Sequence, residues 1–162
     1  MKKAILGIRI IGDPCLRAVS TALESVGASE RVLIQAMIET MHEANGVGLA
    51  APQVGINKQI IIIDVGEGAV AMINPEILER RGTCVMEEGC LSVPEEHVEI
   101  ERAEEITVRF LDQDGVKREM TCSGLFARAV QHECDHLCGK LIVDYQGNQE
   151  KHTGHDYPDV KL

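Results

Sequence analysis

The sequence has few aromatic residues and a deficit of positive charge. Aromatic side chains make up 2% of its 162 residues, tryptophan is absent, and the aromatic positions are Phe110, Phe126, Tyr145 and Tyr157. We therefore expect no aromatic platform for stacking single-stranded nucleic acid. The formal net charge of −10 argues further against direct nucleic-acid binding, because neutralising phosphates requires an excess of Lys and Arg.

The sequence also lacks a long apolar run and a secretory signal. No apolar stretch approaches about 18 residues, so no membrane span is predicted. Arg9 interrupts the first apolar stretch, and no small-residue cleavage site follows it. We therefore expect a cytoplasmic protein whose cysteines are core residues, ligands or nucleophiles rather than disulfides. The six cysteines are Cys15, Cys84, Cys90, Cys122, Cys134 and Cys138.

The overall composition is that of an ordinary globular protein. Apolar residues make up 44% of the sequence and charged residues 26%. The length predicts a single domain over residues 1–162, in which the polar residues after about 145 form a loosely ordered tail.

Apolar periodicity and turn residues predict an α+β fold. We expect an N-terminal amphipathic helix over residues 29–45 with Ser29 as its N-cap, and a second helix over 123–139 that ends before Gly139. The glycine-rich segment 46–55 is expected to be extended and non-helical. Strands are predicted at 59–64 and 70–73, and a hairpin pairs 106–111 with 116–121. These elements indicate mostly antiparallel strands packed around the second helix.

The second predicted helix contains the sequence His132-Glu133-Cys134-Asp135-His136. Residues four apart on a helix lie about 40° apart, so both imidazoles can reach one metal ion while the glutamate lies beside it. Leu125 and Ala129 continue the same stripe, which indicates that the histidines face inward. Because two buried histidines need polar partners, metal binding is favoured over two histidines on a solvated face.

A catalytic metal site needs a third protein ligand and an open position. Cys134 and Cys138 lie on another face of the helix and are most simply explained as core packing. Cys90 lies between Gly89 and Pro94, two residues that interrupt regular backbone, and it is the preferred third ligand. A purely structural role for Cys90 remains the alternative.

Three segments together resemble the peptide deformylase family. They read Gly-Val-Gly-Leu-Ala-Ala-Pro-Gln-Val-Gly at 46–55, Glu-Gly-Cys-Leu-Ser at 88–92, and Gln-His-Glu-Cys-Asp-His-Leu-Cys-Gly at 131–139. They occur in the family's order and at about its spacing. The segments 12–17 and 112–115 are also similar, so the resemblance covers roughly residues 5–145.

The resemblance implies that Cys90, His132 and His136 bind one divalent metal ion. Fe²⁺ is the expected native ion, with Zn²⁺, Ni²⁺ or Co²⁺ as substitutes. The resemblance also implies a hydrolase that removes the formyl group from N-formylmethionyl nascent peptides and releases formate. Glu133 would be the general base, while the Gln53 side chain and the Leu91 backbone N–H would donate hydrogen bonds to the formyl oxygen.

The substrate peptide is expected to bind along the glycine-rich segment by strand addition. Gly48 would permit a close approach of the substrate backbone, and its carbonyl would accept a hydrogen bond from the substrate amide. Val47 and Leu125 are the candidates for the methionine pocket, with Ala129 on the same stripe. Simple turn chemistry for Gly48 and ordinary core packing for Val47 and Leu125 are the alternatives.

The sequence departs from some family members in two places. His97 stands where some members carry an arginine that grips the substrate main chain. Residues 145–162 contain two Lys, no Arg and three acidic residues, so they do not predict the basic C-terminal helix by which some members dock on the ribosome. We therefore expect transient ribosome contact at most.

Two other functions share part of this pattern. A zinc metalloprotease uses the same His-Glu-x-x-His water chemistry, but no suitable third histidine follows Gly139. A non-catalytic deformylase-like binding protein would keep a metal site without needing a general base at Glu133.

Overall fold

The computed structural model describes residues 4–146 and 161–162. Within them, two α-helices are present, α1 (Ala28–Glu43) and α2 (Gly124–Leu137). The strands of these residues are β1 (Gly48–Ala50), β2 (Ile60–Ile63), β3 (Val70–Arg81), β4 (Cys84–Cys90), β5 (Val93–Arg102), β6 (Glu105–Leu111) and β7 (Lys117–Ser123). Short 3₁₀ helices span Pro14–Arg17, Ala51–Val54 and Ile142–Tyr145.

The strands form two antiparallel sheets. A five-stranded sheet has the order β1-β2-β3-β6-β7, and β4 pairs with β5 in a separate two-stranded sheet. The predicted α+β class with mostly antiparallel strands is confirmed. Strand β1 is an edge of the larger sheet, which leaves one of its sides available for pairing with another segment.

The core has two layers because β2 is buried on both faces. Ile61 and Ile63 pack in a cluster with Ala127 and Val130 of α2. Ile60 and Ile62 belong to a second cluster, with Ile34, Met37 and Met41 of α1. Side chains alternate across a strand, so a run of four isoleucines supplies apolar surface to both helices. Neither described helix is long and apolar enough to cross a membrane.

The two α-helices overlap the predicted helical segments but differ from the prediction in their bounds and in several details. Helix α1 begins at Ala28 after Gly27, whose backbone N–H donates to Glu30, so the prediction of Ser29 as N-cap is wrong. Val32 of this helix is 71% exposed, because the apolar face of α1 runs through Ile34, Met37 and Met41. In α2, Ser123 is the N-cap residue but its side chain makes no capping hydrogen bond, and Gly139 follows the end of the helix with a left-handed φ of 75°.

Two segments differ from the sequence-based prediction. The segment 46–55 was expected to be non-helical, yet it contains strand β1 and then a 3₁₀ turn at Ala51–Val54, where Pro52 fits the first turn. The β4–β5 hairpin was not predicted. Pro94 is tolerated in β5 because both strands of a two-stranded sheet are edges and need pair on one side only.

We predict that Gly139→Ala destabilises the fold more than Gly124→Ala. Both glycines have left-handed backbone, with φ values of 75° and 63°. A Cβ at position 139 would lie 2.5 Å from the Arg17 backbone oxygen, whereas a Cβ at position 124 meets nothing within 4 Å. Both variants should lose about 1–2 kcal/mol from backbone strain, and only Gly139→Ala should lose more. Urea unfolding of both variants measures this difference, and equal losses would contradict the prediction.

Candidate active site

The structure brings the three predicted metal ligands together. Cys90 lies at the end of β4, while His132 and His136 lie one turn apart on α2. One ligand atom from each residue lies within 4.8 Å of the other two, and all three residues are buried. The Cys90 Sγ atom is 3.4 Å from His136 Nε2. The group therefore presents one sulfur and two nitrogens, a donor set that suits zinc, iron, nickel or cobalt.

Several buried polar atoms around this group have no hydrogen-bond partner among the described residues. They are His132 Nε2, His136 Nδ1 and both carboxylate oxygens of Glu133. Buried polar groups are normally paired, so such a concentration indicates a missing ligand. A metal ion and the water that it coordinates would provide partners for His132 Nε2 and the Glu133 carboxylate, while His136 turns its other nitrogen, Nε2, towards Cys90 Sγ.

The protonation states of the ligands also fit a cation. Burial lowers the pKa of His136 well below its ordinary value, so its imidazole is neutral and able to coordinate a metal. Burial and the charge of Glu133 raise the pKa of Cys90 to about 12. The thiolate is therefore costly without a nearby positive charge, and a divalent ion would supply that charge.

Glu133 is fully buried beside the histidines. Its Oε1 atom lies 3.8 Å from His132 Nε2, which places the carboxylate next to the ligand group without making it part of that group. Burial, together with the nearby charge of Glu88, raises the pKa of Glu133 well above its ordinary range. A carboxylate with a raised pKa is a stronger base, as proton abstraction from water requires.

A buried ion network holds His132 in position. Glu88 Oε1 accepts a hydrogen bond of 2.8 Å from His132 Nδ1. The same carboxylate accepts two hydrogen bonds of 2.8 Å from Arg102 and a short one from Arg128. Burial opposes ionisation of Glu88, but the hydrogen bonds from Arg102 and His132 outweigh it and hold its pKa well below the ordinary value.

This network determines which nitrogen of His132 is free. An ionised carboxylate only accepts hydrogen bonds, so the proton of His132 lies on Nδ1. The lone pair is then on Nε2, one of the atoms without a partner. An outer carboxylate that fixes the imidazole tautomer is a recurrent feature of metal-binding histidines.

Gln53 lies in the site with its carboxamide held in one orientation. Its Oε1 accepts from the Ala50 backbone N–H at 2.9 Å, and its Nε2 donates to Ser92 Oγ at 3.0 Å. The Nε2 atom is also 3.7 Å from Cys90 Sγ. The amide donor therefore points toward the ligand group.

Leu91 follows Cys90 directly and lines a cavity of about 180 Å³. His97 lies at the same cavity, and its Nδ1 atom is 3.5 Å from Glu87 Oε1 across the β4–β5 pair. The His97 imidazole therefore faces a carboxylate of the neighbouring strand.

Gly48 lies against Glu133, beside the ligand group. A Cβ at position 48 would lie 2.8 Å from Oε1 of Glu133, the candidate general base. Any residue larger than glycine would therefore collide with that carboxylate. Val47 and Leu125 are partly buried against the core cluster that includes Ala129. Leu125 also lines a separate cavity of about 490 Å³ whose apolar walls include Val65, Val70, Met120 and Phe126.

The buried polar residues around the ligand group were not predicted from the sequence. Glu88, Arg128 and Ser92 were given no functional role, although all three are buried. One signal was available, because Arg128 lies four residues before His132 on a helix face that had been recognised as apolar. The interpretation of Cys138 as core packing is wrong, since this residue follows the end of α2 and is exposed.

Comparison with known proteins identifies the family. The family model for polypeptide deformylase matches residues 5–152 of the chain. The chain belongs to the polypeptide deformylase family.

Individual deformylases resemble the chain over most of their length. A peptide deformylase from Clostridium acetobutylicum is 49% identical over 147 residues, which cover 91% of this chain and 98% of the relative. The crystal structure of the deformylase from Thermotoga maritima has a TM-score of 0.85 at 49% identity, covering 86% of this chain and 96% of that one. A deformylase from Acinetobacter baumannii, solved with Met-Ala-Ser bound, has a TM-score of 0.83 at 40% identity and covers 88% and 99%.

We predict that Gly48→Ala impairs deformylase activity without unfolding the protein. The new methyl group would displace Glu133, whose Cγ and Cδ atoms lie 3.0 and 3.1 Å from the Cβ position. A shift of about 1 Å in a catalytic group costs about 100-fold in kcat/KM. The matched control is Gly7→Ala, because a Cβ at position 7 meets nothing within 4 Å. A Gly48→Ala variant with the rate of the unmodified protein would show that Glu133 needs no such space.

We predict that Glu88→Gln weakens metal binding by about 10- to 100-fold, because His132 loses the carboxylate that orients it. The unfolding free energy should also fall by about 3–5 kcal/mol, since Arg102 and Arg128 lose their shared counter-charge. Competition with a chelator for Zn²⁺ measures the first effect, and urea unfolding measures the second. Glu87→Gln, at the neighbouring half-exposed position, should change neither. Unaltered Zn²⁺ affinity in Glu88→Gln would contradict the assigned role.

Proposed function

We propose that this chain removes the formyl group from N-formylmethionyl nascent peptides by metal-dependent hydrolysis. The observation that carries the proposal is the buried Cys90–His132–His136 group with Glu133 beside it. Family membership indicates the same reaction. The products are formate and a peptide with a free amino terminus.

Cys90, His132 and His136 are proposed as the protein ligands of one divalent ion, and α2 is thereby the metal-binding helix around which the strands pack. The ion supplies Lewis-acid activation of water, so that a nucleophile is available near neutral pH. We propose Fe²⁺ as the native ion, with Zn²⁺, Ni²⁺ or Co²⁺ as substitutes that the same donor set accepts. Metal analysis of protein purified without oxygen tests this choice directly.

Glu133 is proposed as the general base and then the general acid. Its carboxylate accepts a proton from the attacking water and afterwards delivers a proton to the leaving amine. The raised pKa of Glu133 supports the first step, because it makes the carboxylate a stronger base towards the attacking water. Its burial also keeps bulk water from competing for that proton.

Gln53 and Leu91 are proposed to stabilise the negative charge on the formyl oxygen in the transition state. The Gln53 Nε2 donor is fixed by the contacts of its carboxamide with Ala50 and Ser92, so little reorganisation is needed. The Leu91 backbone N–H follows the Cys90 ligand and is proposed as the second donor.

The substrate peptide is proposed to lie along the edge of β1. Gly48 permits its close approach, and its carbonyl is proposed to accept a hydrogen bond from the substrate amide. Val47 and Leu125 are proposed to line the pocket for the methionine side chain, a role supported by their place at an apolar cluster near Glu133. The A. baumannii relative is described with a Met-Ala-Ser tripeptide bound, which is the chemistry expected of a deformylated product.

The remaining proposals concern the whole chain. We propose that residues 1–162 form one catalytic domain, while the loosely ordered tail expected after about residue 145 lies largely outside the described residues. Nascent chains as substrate favour a cytoplasmic location and transient contact with the ribosome. The net charge of −10 favours contact through protein rather than through direct nucleic-acid binding.

The expected first test is formate release from a short N-formylmethionyl peptide. Protein purified without oxygen and loaded with Fe²⁺ should release formate, and Glu133→Ala should retain the metal but release none. Removal of the metal by a chelator should abolish activity, and adding Fe²⁺ back should restore it. These results are expected because the three ligands hold the metal, whereas Glu133 transfers the proton without being a ligand.

Other outcomes would indicate the alternatives, which the family comparison does not favour. Cleavage of internal peptide bonds would indicate a zinc metalloprotease. Bound metal at one per chain with no formate release would contradict the deformylase proposal and indicate a binding protein.

A further inference from the structure

The segment Lys161–Leu162 lies against the candidate active site, between the two sheets. The Val47 backbone N–H donates to the Lys161 carbonyl at 3.1 Å, and the Leu162 N–H donates to the Gly89 carbonyl at 3.1 Å. Gly89 and Lys161 also form a parallel β-bridge. This dipeptide therefore pairs with the residue before the edge strand β1 and with strand β4, next to Cys90.

The side chains of the two residues point in opposite directions, as in an extended strand. Leu162 is fully buried and belongs to the apolar cluster against which Val47 and Leu125 pack. Lys161 is exposed and lines the small cavity that also includes Cys90 and Leu91. The buried Leu162 side chain and the backbone hydrogen bonds of the dipeptide therefore both lie at the proposed peptide site.

These contacts use the groups that a substrate would need. The Val47 N–H has one hydrogen, and Lys161 already engages it. Leu162 occupies the cluster where the methionine side chain is proposed to bind. Leucine and methionine are similar in volume and both apolar, so a pocket suited to one accepts the other at little cost.

We propose that Lys161–Leu162 competes with the substrate peptide for its binding groove. This groove comprises the edge of β1 and the apolar cluster at Val47 and Leu125. The proposal rests on the proposed function of that groove. While the segment is seated, a formylmethionyl peptide cannot pair with Val47 or place its side chain in the cluster. The apparent affinity for substrate is then reduced by the fraction of time for which the groove is free. Glu133 and the metal ligands are not altered, so the rate at saturating substrate is unchanged.

Deleting Lys161 and Leu162 tests the proposal by steady-state kinetics. KM for an N-formylmethionyl tripeptide should fall with kcat unchanged, by about tenfold if the groove is free one-tenth of the time. Leu162→Asp should mimic the deletion because a carboxylate cannot occupy the apolar cluster. Lys161→Ala is the matched control, since it keeps the backbone contacts and changes only an exposed side chain, so KM should stay that of the unmodified chain.

A binding measurement that needs no catalysis separates this proposal from the proposed function. A fluorescein-labelled peptide of residues 157–162 should bind the deleted chain and bind the unmodified chain more weakly, as measured by anisotropy. Unlabelled N-formylmethionyl peptide should displace it from the metal-loaded Glu133→Ala background, in which no turnover occurs.

Two results would overturn the proposal. The first is an unchanged KM after deletion, with or without a lower kcat, because a merely structural segment would affect stability but not competition. The second is equal binding of the labelled peptide to the deleted and unmodified chains. Specific binding to the deleted chain combined with no formate release from any variant would instead refute the proposed function and leave the seating of Lys161–Leu162 supported.

Discussion

The candidate site depends on the hydrogen bonds that the buried Glu88 carboxylate accepts. The carboxylate accepts them from His132, Arg102 and Arg128 in a region with almost no solvent. Glu88 and Arg102 come from the two strands of the small sheet, and the other two partners come from α2. The carboxylate therefore joins the sheet that carries Cys90 to the helix that carries the histidines. Removing it would deprive the buried Arg128 and Arg102 of their shared counter-charge, with Arg102 keeping its ion pair to Asp135, and would leave His132 without its orienting partner.

The site also lowers the stability of the folded protein when no metal is bound. Glu133 and the free nitrogens of both histidines are buried without partners among the described residues, and each such group destabilises the folded state. A bound cation would satisfy several of them at once, so metal binding should stabilise the folded protein by mass action. Chemistry and stability oppose each other here, as they do at many active sites, because the arrangement that prepares Glu133 for proton transfer also deprives it of hydrogen bonds.

Local patterns carried most of what could be predicted from the sequence. The spacing of His132 and His136 follows from helix geometry, and the isoleucine run of β2 indicated a buried strand without any tertiary information. The β4–β5 hairpin was missed because its strands are rich in charged residues and β5 contains Pro94, although Val98 and Ile100 alternate with glutamates. Glu88 and Arg128 were missed for a different reason. Their pairing joins residues 40 positions apart in sequence, and no local pattern indicates a contact of that kind.

The coordination of the metal by Cys90 is tested most directly by the absorption spectrum of the Co²⁺-loaded protein. A cobalt–thiolate bond to Cys90 should give a charge-transfer band in the near ultraviolet. Cys90→Ser should abolish this band, whereas Cys134→Ser, which alters a cysteine between the two histidines in sequence, should leave it unchanged. A band that survives in Cys90→Ser, or one that disappears in Cys134→Ser, would contradict the assignment of Cys90 as the third ligand.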